Sequence, residues 1–152
     1  GIQYTLFYAS VFLIMNFLVF SVLNDYEDQG VNEIPAFSGL GRSSWFPAVA
    51  LLVGMVALTG LPPTAGFTGK LLIFSSLWNT YQESGSSLLL VLFVAGLINT
   101  VVSLFFYLKI PYFLFLKEAP AGVPQKSSVA GNLFHLLLVL LLIYLFLQPA
   151  VL

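Results

Sequence analysis

Charge is what this chain has least of. Of its 152 residues 7% are Asp, Glu, Lys or Arg, against about 25% in an ordinary soluble domain. So few charges do not solvate a globular surface, and a soluble domain is excluded. Cysteine is absent, which removes disulfides, thiolate metal sites and a cysteine nucleophile. One histidine does not build a histidine-rich metal centre, so no metal site is expected. Five Lys and Arg against six Asp and Glu leave a net charge of -1, with no basic footprint for nucleic acid. No phosphate loop, dinucleotide fingerprint or nucleophile elbow occurs. What is there is apolar: 59% hydrophobic and 16% aromatic. The chain reads as an integral membrane protein. It enters an apolar run directly after Gly1-Ile2-Gln3-Tyr4, without the basic region or small-residue cleavage pattern of a secretory signal. The expectation is a cut just before a spanning helix, so that residues 1–152 form one membrane segment of a longer subunit.

A spanning helix needs about 20 mainly apolar residues. Residues 4–23 supply that, with Asn16 as the one strongly polar interior residue. A polar connection follows over 24–44, punctuated by Gly30, Pro35, Gly39 and Gly41. The second apolar region, 46–81, is too long for one straight span, because a helix of that length reaches roughly 54 Å and the hydrocarbon core is about 30 Å thick. Its middle reads Gly60-Leu61-Pro62-Pro63-Thr64-Ala65-Gly66-Phe67-Thr68-Gly69-Lys70. Pro62 and Pro63 remove backbone donors, while Gly60 and Gly66 permit an irregular path. Two half-helices, 46–59 and 67–81, are therefore expected with a break near 60–66. Non-helical backbone at membrane depth has to be buried in protein or line a watery cavity. A third span is expected over 88–108, with Pro111 kinking or ending it, and a fourth over 132–150 after a flexible loop holding Pro120, Gly122, Pro124 and Lys126. The fold class is all-α and polytopic, with four transmembrane helices, the second discontinuous. Tyr4, Trp45, Trp78, Tyr81 and Tyr112 fall near the predicted ends, as an aromatic belt does.

Arg42, Lys109, Lys117 and Lys126 all fall on the side of the first and third connections, and the other side has no Lys or Arg. The positive-inside rule puts those four in the cytoplasm and both termini outside.

Lys70 is the only charge inside a predicted span. An unpaired charge at the bilayer centre costs about 3 kcal/mol on insertion scales, and such residues mark ion or proton routes. In the first turn of the second half-helix, dipole and desolvation would both disfavour its ammonium. A lysine that loses and regains its proton near neutral pH is a proton carrier. The plain alternative is a lysine paired with a buried carboxylate to fix helix packing. Four further residues are candidates for a proton path, each with a plainer reading. His135 is otherwise an interfacial histidine, Asn16 and Asn99 are interhelical glue, and Lys109 snorkels to the interface. Asp25, Glu27 and Asp28 read as a solvated cluster without metal-site spacing.

The stretch 58–71, Leu-Thr-Gly-Leu-Pro-Pro-Thr-Ala-Gly-Phe-Thr-Gly-Lys-Leu, closely resembles the broken-helix signature of the antiporter-like membrane subunits of respiratory complex I, in its N-type form. Met15-Asn16 and the run Phe106-Tyr107-Leu108-Lys109-Ile110-Pro111 support the likeness, and relatives of the M type usually carry Glu where this chain has Lys70. The resemblance implies the last four spans of a longer subunit, with Lys70 as the lysine of the discontinuous helix. That lysine belongs to an axis of buried charges, whose upstream members, a lysine and a Glu–Lys pair, are missing here. Proton movement along it is coupled to NADH oxidation and quinone reduction. NADH, FMN, iron–sulfur clusters and quinone would sit in partner subunits, with no cofactor or redox site in this chain. The partners implied are neighbouring antiporter-like subunits and the lipid of a bacterial cytoplasmic membrane, with both termini outside. Multi-subunit cation/proton antiporters, secondary transporters without redox chemistry, share the broken helix and its lysine and stand as the alternative. A non-transporting four-helix scaffold is the blander one.

Overall fold

The computed structural model describes residues 2–118 and 128–147, and among them every regular element is helical. Helix α1 (Ile2–Glu27) runs one turn beyond the expected span and is about 39 Å long at 1.5 Å per residue. Its buried side includes Phe7, Val11, Met15, Leu18 and Val22, the three-and-four spacing of a helix with one inward stripe.

The connection after α1 is packed rather than loose. It holds one 3-10 turn (Ile34–Phe37) and a single helical turn, α2 (Leu40–Ser43). Phe37 meets the Tyr26 ring edge-on at 5.3 Å, and the Tyr26 hydroxyl lies 3.1 Å from Ser44 Oγ. The Gly39 amide donates to the Phe113 carbonyl at 3.1 Å, tying the connection to a later helix.

Helices α3 (Trp45–Thr59) and α4 (Ala65–Ser84) follow, separated by residues 60–64. Going out along them, Ser44 meets Tyr26, Val19 packs over Gly54, Met15 over Gly66 and Tyr8 over Gly69. The partners on α1 fall from 26 to 8 as those on α3 and α4 rise, so α3 and α4 lie end to end, antiparallel to α1. Small residues at these contacts let backbones approach closely, the main source of helix association in lipid.

Helix α5 (Ser87–Tyr107) has no buried residue, and α6 (Lys109–Leu116) continues it after a break at Leu108. The break has a cause: the Pro111 ring clashes with the carbonyl four residues back, that of Tyr107. Pro111, expected to kink or end this segment, is buried inside α6, and the kink falls three residues ahead of it, at Leu108. Helix α7 (Val129–Leu147) turns His135, Leu138, Leu142 and Leu145 inward. Lys126, Pro120, Gly122 and Pro124, and the last residues of the expected fourth span, lie outside the described residues.

Three of these helical stretches, Ile2–Glu27, Ser87–Leu116 and Val129–Leu147, are long and apolar enough to cross a membrane. Helix α3 is apolar but has 15 residues, about 22 Å, short of the roughly 30 Å hydrocarbon core.

Candidate functional site

The site grows out of the way α3 ends. A helix leaves its last four carbonyls without intrahelical partners. Here Gly60, at φ +79°, makes the left-handed turn that closes α3. Its amide donates to the Ala57 carbonyl at 3.0 Å, and the Leu61 amide reaches the Val56 carbonyl at 3.3 Å. This paired pattern satisfies two of the four carbonyls. The Lys70 ammonium takes the other two: Nζ donates to the Thr59 carbonyl at 2.9 Å and to that of Leu58 at 3.3 Å. All four carbonyls are thus accounted for, two by the chain's own turn and two by one side chain of the next helix.

Two glycines make the reach feasible. A Cβ on Gly60 would stand 2.6 Å from Lys70 Cδ, so the bare backbone is the floor on which the lysine stem lies. A Cβ on Gly66 would collide with the Ala57 carbonyl oxygen, so the first turn of α4 sits hard against the last turn of α3. Pro62 and Pro63 fill the connecting segment, which is partly exposed. Thr64 turns its hydroxyl back to the Leu61 carbonyl at 2.6 Å.

The electrostatics differ from the sequence expectation. Helix α4 starts at Ala65 rather than 67, so Lys70 is its sixth residue and lies beyond the first turn. Its Nζ points back to the carbonyl end of α3, where the macrodipole is negative and favours a cation. The break lies level with Met15, near the middle of α1.

The other candidates separate. Asn16 donates Nδ2 to the Phe12 carbonyl of its own helix at 2.7 Å. Asn99 is exposed on α5, and Lys109 is exposed at the start of α6. The hydrogen bonds of Lys70 go to Leu58 and Thr59 and include neither. His135 is fully buried. Its Nε2 lies 3.0 Å from Ser21 Oγ and 3.7 Å from Asp25 Oδ2, and its Nδ1 is buried without a protein partner. Sequence reasoning missed Ser21 and filed Asp25 with a solvated cluster, because the register between α1 and α7 is a tertiary fact. The carbonyls of Leu58 and Thr59 were also missed, though a glycine followed by two prolines at a helix end signals a C-terminus in search of donors.

Comparison with known proteins bears on this arrangement. A family model described as NADH:quinone oxidoreductase/Mrp antiporter, TM, matches residues 1–103. NADH-quinone oxidoreductase subunit N 2 of Chloroherpeton thalassium is 38% identical over 147 residues, which is 94% of this chain and 27% of that protein. Subunit N of Chlorobium chlorochromatii is 36% identical over 149 residues, 95% of this chain and 28% of that protein. A chain in the solved structure of respiratory complex I from Thermus thermophilus with bound aureothin superposes with a TM-score of 0.75 at 27% identity, covering 98% of this chain and 33% of that one. This chain therefore spans about a quarter of the length of these two subunit N relatives.

Proposed function

Because this chain belongs to the NADH:quinone oxidoreductase/Mrp antiporter transmembrane family, we propose that it is the C-terminal membrane segment of a proton-translocating, N-type subunit of an NADH:quinone oxidoreductase. Lys70 is the proton carrier. In this reading α3 and α4 are the two halves of one discontinuous span, and α1, α5 and α7 complete a four-span segment. The end-to-end packing of α3 and α4 along α1 supports that count.

The observation that carries the reading is the bonding of Lys70 Nζ to two carbonyls at the break. An ammonium has three donors, and two are engaged. The neutral amine keeps two N–H groups, enough for both carbonyls. The third proton can therefore leave and return while both carbonyls keep their donors. A change of charge nearby, arriving from the redox part of the complex, shifts the balance between the two forms, and each cycle moves one proton past the break. NADH, FMN, iron–sulfur clusters and quinone belong to partner subunits in this account, and this segment supplies no redox centre. The partners are the other membrane subunits of the complex, neighbouring antiporter-like ones above all, in a bacterial cytoplasmic membrane. Arg42, Lys109, Lys117 and Lys126 face the cytoplasm, and the termini face outward.

The test is a native gel of detergent-solubilised source membranes, probed for the full-length subunit and stained for NADH oxidation. Comigration with a large NADH-oxidising band is expected. Migration in a smaller band without that activity would overturn the complex I assignment in favour of a cation/proton antiporter.

A further inference from the structure

A second polar cluster lies apart from the break, at the corner where the end of α1 meets the start of α7. Ser21 and Asp25 are one turn apart on α1, on the same face, and both approach Nε2 of the buried His135, at 3.0 Å and 3.7 Å. Asp25 is 38% exposed at its side chain while His135 is at 0%, so the pair joins a wet group to a dry one. Asp25 borders an open recess of about 170 Å³, lined also by Asp28, Gln29, Ser44 and Ser128. A water needs roughly 10–15 Å³, so the recess has room for several. Gln29 Oε1 is buried without a protein partner, an acceptor that such water satisfies. Gly131 in the first turn of α7 leaves the carboxylate its space, since a Cβ there would stand 2.9 Å from Asp25 Oδ2.

A fully buried imidazole with one nitrogen toward a carboxylate and the other unpartnered has the layout of a relay rather than of packing. A packing histidine would have both nitrogens satisfied. We propose that Asp25, Ser21 and His135 form a proton-uptake relay that carries protons from the recess at the α1–α7 corner into the helix interior. It rests on the proton-translocating reading given above. Asp25 takes a proton from water in the recess. The O–H bond at its carboxyl then breaks as an N–H bond forms at Nε2 of His135, directly or through the Ser21 hydroxyl. The imidazolium releases its Nδ1 proton to an interior water, and the neutral ring is left as the other tautomer. One proton has moved inward, and no electron has been transferred. Of the helices packed on α7, α3 has no titratable side chain. Helix α4 has Lys70, held at the break, and Tyr81 and Glu83 at its far end. Among the described residues, the ionisable partners of His135 at this corner therefore come from α1. Ser21 is six residues along α1 from Met15, which marks the level of the break, a separation of about 9 Å.

The experiment uses the full-length subunit in its assembled complex, reconstituted in vesicles, with NADH oxidation and proton pumping followed together in H2O and in D2O. Asp25→Asn and His135→Gln are expected to slow NADH-driven pumping severalfold, and Asp25→Glu to keep the wild-type rate. Asp25→Asn should also show a larger H2O-to-D2O rate ratio than wild type, because proton uptake has become limiting. Wild-type pumping in Asp25→Asn, or an unchanged isotope ratio, overturns the relay. So does Asp25→Glu as slow as Asp25→Asn, which assigns the corner to packing. Lys70→Arg in the same series separates the two levels. Normal pumping there removes the translocation reading itself, whereas loss there with normal Asp25→Asn removes the relay alone.

Discussion

The Lys70 ammonium lies 2.9 Å from the Thr59 carbonyl oxygen, so a side chain of α4 completes the C-terminus of α3. This joins a structural duty to a chemical one. A buried carbonyl left without a donor costs about 1–3 kcal/mol, and the lysine removes that cost at both Thr59 and Leu58. Among the described residues no carboxylate pairs with this ammonium. The helix end supplies oriented acceptors in its place.

Lys70→Met deletes both donors. Each orphaned carbonyl is expected to cost about 1–3 kcal/mol, so the assembled complex should melt at a lower temperature as well as pump less. Differential scanning of the purified complex reads the first effect. An unchanged melting temperature would mean that the two carbonyls have other donors.

Gly60→Ala puts a side chain in the left-handed region, at about 1–2 kcal/mol, and pushes a Cβ against the Lys70 stem. Both stability and pumping should fall together. A variant with wild-type melting and wild-type pumping would show that the lysine does not lie across this residue.

Gly66→Val adds bulk where the backbone of α4 meets the Ala57 carbonyl. Overpacking of this kind costs about 1–3 kcal/mol or more, and here the obstacle is backbone, which has little room to yield. Native gels should show a loss of assembled complex. Assembly at the wild-type level would mean that α3 and α4 do not touch at this point.

Changing Pro62 and Pro63 together to Ala restores two backbone donors and removes the restraint on φ. The segment 60–64 can then extend a helix, and the carbonyls of Leu58 and Thr59 find backbone partners in place of Lys70. Pumping should fall while the melting temperature holds or rises. Normal pumping would detach proton movement from the break.

Much of the fold was legible in the sequence. Hydrophobic runs and their lengths marked α1, α5 and α7, and Gly60, Pro62 and Pro63 marked where α3 had to stop. Lys70 stood out as the only charge in an apolar region. What was hidden depended on tertiary register. The direction in which Lys70 reaches, back toward α3 rather than along α4, follows from the close approach at Gly66. The Asp25–His135 contact joins residues 110 apart in the chain, and no local pattern announces it. Pro111 was read as kinking or ending the third span, and the chain does break at Leu108, but its ring does not announce that the helix resumed at Lys109 packs on the 3-10 turn and α2.

In the proposed function Lys70 works by giving up a proton, beyond holding the end of α3. The measurement that tests it most directly is NADH-driven proton pumping in the assembled complex carrying Lys70→Arg. A guanidinium keeps its charge and its N–H donors for the carbonyls but does not deprotonate in a protein. An assembled, NADH-oxidising complex of near wild-type stability with severely reduced pumping is expected. Pumping at the wild-type rate would contradict it and leave Lys70 as a cap for α3.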